Sequence, residues 1–143
     1  MSGVRFQGSR VQRSGIRGLE MVIRSYKDLD VWKKSMDLVV ECYTLTRQFP
    51  KSEVYGLNSQ IQRAAVSIPA NIAEGRQRQH SREFSQHLSI ASGSLAELET
   101  HVQIANRLDY LRADQIKEIL DKTTEIGKML NGLRRSIKSK SKS

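Results

Sequence analysis

The sequence predicts an all-α protein, an up-and-down antiparallel four-helix bundle, and three observations favour that fold class. Apolar residues recur at spacings of three and four along four segments of the chain, the pattern of amphipathic helices. Only two prolines occur in 143 residues and aromatic residues make up 6%, which suits helices better than a β-sandwich or barrel. The helical segments are joined by short polar links, and such links connect antiparallel neighbours.

The first predicted helix runs from about Asp28 to about Arg47 and carries two apolar stripes on nearly opposite sides. One stripe contains Leu29, Trp32, Met36, Val39, Val40 and Tyr43, and the second contains Val31, Leu38, Cys42 and Leu45. A helix in a lone bundle needs one apolar stripe. The second stripe is therefore predicted to be an oligomer interface. Cys42 within it is interpreted as a small buried hydrophobe rather than a nucleophile.

The second predicted helix contains the segment QIQRAAVSIPANIAEG at Gln60–Gly75, with Ser52 as its expected cap. Pro69 removes one backbone N–H and its ring collides with the preceding turn, which predicts a kink. Ser67 and Asn71 flank this proline and are expected to bond the backbone groups that it frees. Gly75 is predicted to end the helix.

Three polar residues of the second helix, Arg63, Asn71 and Glu74, have two interpretations. In the first, which we favour, they form a hydrogen-bonded cluster that braces the Pro69 kink, or an inter-subunit salt bridge. In the second they form a ligand site. Ser67, Pro69, Asn71, Glu74 and Gly75 are accordingly predicted to be a structural motif.

The third predicted helix begins near Ser81, a residue type favoured as an N-cap. Its heptad seam predicts near-parallel packing and contains Phe84, Leu88, Ala91, Leu95, Leu98, Val102 and Ala105. Gly93 lies in mid-helix, where glycine costs about 0.5–1 kcal/mol against alanine. We therefore expect a neighbouring backbone to approach Gly93 closely, within the subunit or across an interface.

The fourth predicted helix runs from about Ala113 to about Ser136, and the basic, serine-rich end of the chain is expected to fray. The predicted organisation is a disordered basic arm over residues 1–25, the bundle over 26–137 and a basic tail over 138–143. An alternative is that translation starts at Met21 and that residues 1–20 are upstream sequence.

Four separated blocks of the chain resemble one known family. They are YKDLDVWKKSMDLV at Tyr26–Val39, FPKSEVYGL at Phe49–Leu57, SIPANIAEG at Ser67–Gly75 and IASGSLAELET at Ile90–Thr100. In this order they resemble the bacterial 23S rRNA intervening-sequence proteins, over about residues 26–133. The resemblance implies a ring-shaped homopentamer of four-helix subunits. Some members are encoded inside insertions in large-subunit rRNA genes. Distant relatives are accessory proteins of diversity-generating retroelements, which bind a reverse transcriptase and nucleic acid.

The net charge of +9 is unevenly distributed along the chain. Residues 1–20 hold four arginines and one glutamate, and residues 134–143 hold five basic residues and no acidic one. Residues 21–133 hold 15 basic and 14 acidic residues. The sequence therefore predicts a nearly neutral bundle with basic ends, and the charge favours nucleic acid as a partner.

Catalytic and metal-binding patterns are not found in the sequence. A di-iron bundle needs Glu-x-x-His pairs, and no glutamate lies three residues before a histidine. A P-loop and a Gly-x-Ser-x-Gly elbow are also missing. We predict a protein that is not an enzyme and has no cofactor and no metal. One cysteine and no apolar run of about 20 residues predict a cytoplasmic protein without a membrane partner.

Candidate nucleic-acid-binding residues lie near the link between the second and third helices and near the C-terminus. They are Arg63, Arg76, Arg78, Arg82, Arg134, Arg135 and Lys138. A ring would repeat this link around one rim and add up its charge. The predicted function is a non-enzymatic oligomer that binds RNA or DNA through sequence-independent backbone contacts. Phe84 is assigned to the core seam, so aromatic residues for base stacking are missing. The alternatives are a solvated polar turn with no ligand, and a scaffold that docks a partner such as a reverse transcriptase.

Overall fold

The structure is a computed structural model that describes residues 25–142, and this range contains four α-helices and no strand. The helices are α1 (Asp30–Thr46), α2 (Leu57–Gln77), α3 (Ser81–Arg107) and α4 (Ala113–Lys142). Each helix packs against the next, and α1 also packs against α4. The four-helix bundle confirms the predicted all-α fold class. The predicted basic arm falls almost wholly outside the described residues.

The core contains the apolar faces of all four helices, and the heptad seam of α3 is its best-predicted part. Leu88, Ala91, Leu98 and Ala105 are completely buried, and Phe84 at the start of the seam is half-buried against the same core. A spacing of four and three keeps one stripe of a helix facing its partner over several turns. The seam prediction is therefore confirmed along the length of α3.

The α1 stripe that was assigned to an oligomer interface faces the core, and the other α1 stripe reaches the surface only in part. The stripe assigned to an oligomer interface is buried inside the subunit, with exposed fractions of 4% at Val31, 0% at Leu38, 1% at Cys42 and 8% at Leu45. The other stripe is divided. Leu29 is buried in the core and Trp32 and Val39 pack against it, whereas the rest of the stripe is exposed, with Val40 at 65%. Both stripes have helical spacing, and periodicity does not tell which of two apolar faces turns inward. The inward face also carries Ser35, whose hydroxyl donates to the Val31 carbonyl at 2.6 Å.

Cys42 lies in the core, as predicted. Burial raises the pKa of its thiol to about 12, with a smaller contribution from the charge of Glu41. Because the thiolate is the nucleophilic form, Cys42 acts as an apolar packing residue.

Helix α2 continues through both Pro69 and Gly75, and the predicted stop at Gly75 is wrong. Both residues are buried inside the helix, which ends at Gln77. In the link after α2, Gln79 has a positive φ of 64°. A Cβ added at Gly75 would lie 2.6 Å from the Cβ of His87. Glycine is needed here because α3 approaches α2 closely, and not because the backbone turns. The kink at Pro69 stays a prediction.

The last helix is longer than predicted, because α4 continues to Lys142. Ile137 lies four residues after Leu133, and both pack against the core. The amphipathic pattern therefore extends the helix by more than a turn beyond Ser136. As a consequence, the basic residues assigned to a fraying tail belong to a helix of the bundle.

Two further sequence assignments change in detail. Ser81 is the first residue of α3 rather than its cap, because His80 occupies the cap position without a side-chain bond. Gly93 is exposed, and a Cβ added there would meet nothing within 4 Å. The expected close approach within the subunit is therefore wrong, while an approach across an interface stays a prediction.

The start of α2 is held by Glu53 rather than by the predicted cap Ser52. One carboxylate oxygen of Glu53 accepts from the Leu57 N–H at 3.1 Å, and the other accepts from the Tyr110 hydroxyl at 2.8 Å. The second bond joins the link before α2 to the link between α3 and α4. These bonds, the Leu57 bond first and the Tyr110 bond second, lower the pKa of Glu53 below its ordinary 4.5.

Glu53→Gln is expected to lower the free energy of unfolding at neutral pH. It is also expected to reduce the loss of stability that the wild type shows as the pH falls. Because the folded-state pKa of Glu53 is lower than the unfolded one, ionised Glu53 stabilises the fold above pH 4.5. This contribution is lost as the pH falls through the folded-state pKa. Thermal unfolding of both proteins across this range checks the prediction. Parallel profiles for wild type and variant would contradict it.

Candidate nucleic-acid interface

Two neighbouring grooves lie at the end of the bundle where α2 stops, α3 starts and α4 finishes. The first, the Phe84 groove, has a volume of about 330 Å³ and is lined mainly by Arg76, His80, Phe84, Leu133, Ile137 and Lys140. The second, the serine groove, has a volume of about 560 Å³ and is lined mainly by Ser81, Arg82, Ser85, Ser89, Arg134 and Lys138. Ser81 and Ile137 line both grooves. Basic side chains from three helices therefore border one continuous surface, which we call the basic end.

Five of the seven candidate arginines and lysines are brought together at the basic end. Arg76 borders the Phe84 groove, and Arg82, Arg134 and Lys138 border the serine groove. Arg135 lies in a smaller depression beside it, of about 150 Å³, which Arg134 and Lys138 also line. The extension of α4 makes this cluster, because it carries residues 134–138 alongside the start of α3.

The other two candidates are placed differently. Arg78 is neutralised locally, with its guanidinium 3.0 Å from the Glu74 carboxylate and 3.7 Å from that of Glu83. Arg63 lies thirteen residues before Arg76 on α2, about 20 Å away along the helix axis. It lines a separate groove beside Tyr43. The sequence cluster that joined Arg63 to the link after α2 is therefore divided by the fold.

The serine groove combines hydroxyl groups with cations. Ser81, Ser85 and Ser89 recur every four residues along α3, so their hydroxyls form a row with a spacing of about 6 Å. Arg134 faces the same groove, and its Nε is buried without a hydrogen-bond partner among the described residues. Sequence reasoning missed this row, although its spacing of four was visible.

The comparisons with known proteins decide the family. Residues 27–132 match the family described as 23S rRNA-intervening sequence protein. The chain belongs to this family. A crystal structure from Bacteroides thetaiotaomicron, described as a protein of unknown function from the S23 ribosomal protein family, has 29% sequence identity to this chain and a TM-score of 0.66. The match covers 73% of this chain and 97% of that one. No curated protein matches.

In this intervening-sequence family member, the SIPANIAEG segment joins α2 to α3 by side-chain hydrogen bonds. The Asn71 amide donates to the Ser67 carbonyl at 2.9 Å and to the Ser67 hydroxyl at 3.0 Å. The Ser94 hydroxyl of α3 donates to the same Ser67 hydroxyl at 2.8 Å. His87 Nδ1 lies 3.0 Å from Asn71 Oδ1, so this nitrogen carries the proton. Glu74 lies 3.9 Å from the other ring nitrogen.

These bonds give the segment a structural role, as predicted, but the role is to join α2 to α3. Within α2, the Asn71 amide donates to Ser67 one turn earlier. Ser67 and Asn71 are also hydrogen-bonded to Ser94 and His87 of α3. Together with the close approach at Gly75, they fix the distance between α2 and α3. That distance positions Phe84, whose Cδ1 would lie 3.2 Å from a Cβ added at Gly75. The family segment therefore positions Phe84, which lines the Phe84 groove.

A second surface of this family member is apolar and lies on α1 and α2. It contains Met36, Val40 and Tyr43 of α1 and Val66 of α2, with exposed fractions of 42%, 65%, 41% and 42%. Tyr43 and Val66 both line the groove that also holds Arg63. We call this surface the outer stripe. Its α1 residues belong to the stripe that the sequence had assigned to the core.

Neither a metal cluster nor a membrane helix is found in residues 25–142. No group of three or more His, Cys, Asp or Glu side chains in this range is placed to hold a metal ion. None of its helices is both long and apolar enough to cross a bilayer.

Proposed function

We propose that this protein is a non-enzymatic homo-oligomer that binds RNA or DNA through sequence-independent contacts to the sugar–phosphate backbone. The observation that carries the proposal is the basic end, where cations from α2, α3 and α4 border two adjoining grooves. Phosphate oxygens are the natural ligands of arginine, lysine and hydroxyl groups together.

The electrostatics of the basic end favour a polyanion. Residues 134–143 hold five basic residues and no acidic one, and Arg134, Lys138 and Lys140 of α4 line the grooves that Ser81 at the start of α3 also lines. The partial positive charge of the α3 N-terminus adds to this field. In an oligomer each copy would contribute one such end, and the fields would sum over the assembly. The homopentameric ring that the family resemblance implies would repeat the basic end five times around one rim.

The decisive experiment neutralises the serine groove in the full-length chain. The triple variant Arg82→Gln, Arg134→Gln, Lys138→Gln is expected to bind an RNA oligonucleotide at least tenfold more weakly at low salt. Each lost phosphate contact also lowers the slope of log affinity against log salt by about one. Fluorescence anisotropy over a salt series measures both quantities, and circular dichroism checks that the helices persist.

The matched control removes the same charge from the opposite end of the bundle. Lys51, Arg107 and Arg112 are exposed and lie near the two links at that end. Changing all three to glutamine keeps the net charge equal to that of the first variant. We expect the control to retain most of the affinity and of the salt slope. Equal losses in the two triple variants would contradict a localised site and would indicate an effect of net charge alone.

A protein-interaction scaffold is the second candidate function, and the outer stripe is the observation that favours it. Such a scaffold would dock a partner, for example a reverse transcriptase, on an exposed apolar surface. It predicts a protein complex that survives neutralisation of the serine groove. It also predicts that wild type and both triple variants bind RNA equally weakly. The same anisotropy series therefore separates the two candidates.

A further inference from the structure

The Phe84 groove is lined by both apolar and basic side chains, and that combination suits more than contacts to a sugar–phosphate backbone. Phe84, Leu133 and Ile137 line it with apolar side chains, and Arg76 and Lys140 line it with basic ones. Phe84 is half-buried, because it is the first seam residue of α3 and lies at the open end of the bundle. One part of this side chain packs on the core and another part lines the groove. The assignment of Phe84 to the core alone was therefore incomplete.

The adjoining serine groove has the chemistry of a phosphate seat. Ser81, Ser85 and Ser89 of α3 line this groove together with Arg134 and Lys138 of α4. Charge-assisted bonds from arginine to phosphate are stronger than neutral ones, and the buried Arg134 Nε has no hydrogen-bond partner among the described residues. A row of donors along a helix suits an extended phosphodiester chain better than one compact anion.

We propose that the two grooves together form a site for single-stranded nucleic acid. A base stacks on Phe84 in the first groove, and the phosphates next to it lie along the serine groove. This inference rests on the proposed function and specifies its ligand as an unpaired strand. Base–aromatic stacking tolerates every base, because each has a π-face. In a duplex the bases are paired and stacked on each other. A duplex can therefore contact the arginine and lysine side chains of the grooves but cannot stack a base on Phe84.

The test measures how one aromatic substitution in the full-length chain changes the affinity for a single strand and the affinity for a duplex. Phe84→Leu keeps an apolar side chain and removes the ring. It is expected to weaken binding of a single-stranded RNA or DNA oligonucleotide about fivefold or more, and to leave duplex affinity unchanged. Phe84→Tyr keeps the ring and is expected to retain single-strand affinity. Equal affinities for RNA and DNA strands are expected, since stacking and phosphate contacts do not read the 2′-hydroxyl.

The matched control is Phe49→Leu, the same chemical change in the core at the opposite end of the bundle. It is expected to leave both affinities unchanged. Circular dichroism and unfolding curves establish that each variant folds. A base analogue such as 2-aminopurine in the strand gives a second readout, because its fluorescence is quenched on stacking with wild type and less so with Phe84→Leu.

Failure of this inference is distinguishable from failure of the proposed function. If wild type binds neither strand nor duplex, the proposed function is wrong and this inference falls with it. If the serine-groove variant loses affinity while Phe84→Leu keeps single-strand affinity and full quenching, only this inference is overturned. An equal loss for strand and duplex in Phe84→Leu would also overturn it, because the ring would then act without reading unpaired bases.

Discussion

Gly75→Ala is expected to destabilise the subunit by about 1–3 kcal/mol, the usual cost of overpacking a well-packed core. The added Cβ would lie 2.6 Å from the Cβ of His87 and 3.2 Å from Cδ1 of Phe84. His87 has little freedom to retreat, because its ring is bonded to Asn71 on α2. The two helices must therefore separate, and the hydrogen bonds between them lengthen. Urea unfolding followed by circular dichroism measures the change.

Gly93→Ala is the matched control, because it makes the same substitution in α3 with the opposite expected sign. A Cβ at Gly93 meets nothing within 4 Å, so the gain in helix propensity of about 0.5–1 kcal/mol is expected to appear as added stability. Equal stability of Gly75→Ala and wild type would show that α2 and α3 can separate without cost. A destabilised Gly93→Ala would indicate that another subunit packs against this face.

The two glycines show what a sequence pattern can and cannot predict. Both lie in helical segments, and periodicity predicts those segments because apolar spacing is a local property. The role of each glycine depends on which helix passes nearby, which is a long-range property. Gly75 was interpreted as a stop and lies at a close contact, whereas Gly93 was interpreted as a close contact and lies open within the subunit.

The candidate site was predictable to a similar degree. Arginine and lysine near the α2–α3 link and near the C-terminus were singled out from the sequence as candidate nucleic-acid-binding residues, and the fold brings most of them together. Their convergence was not visible, because it depends on α4 continuing past Ser136 to lie beside Ser81. Similarly, nothing local in the sequence pairs Glu53 with Tyr110 across 57 positions.

Val40→Glu is expected to break the proposed homo-oligomer while leaving the four-helix bundle folded. Val40 is 65% exposed in the subunit and lies in the middle of the α1 part of the outer stripe. If a second copy covers this surface, the new carboxylate is buried without a partner, which costs several kcal/mol at each contact. The molar mass from light scattering is then expected to fall to that of one subunit. The circular dichroism spectrum is expected to stay helical.

Two matched variants serve as controls for Val40→Glu. One tests the inward face of α1, and the other tests the effect of an added charge alone. Leu38→Glu places the same carboxylate on the inward face, where Leu38 is fully buried, and is expected to unfold the subunit. Thr124→Glu adds the charge to an exposed position of α4 and is expected to preserve both fold and assembly. A wild-type protein that is monomeric would contradict the homo-oligomer, and the outer stripe would then be left for a different protein. An oligomeric Val40→Glu would move the subunit interface to another face, and the open surface around Gly93 would be the next to test.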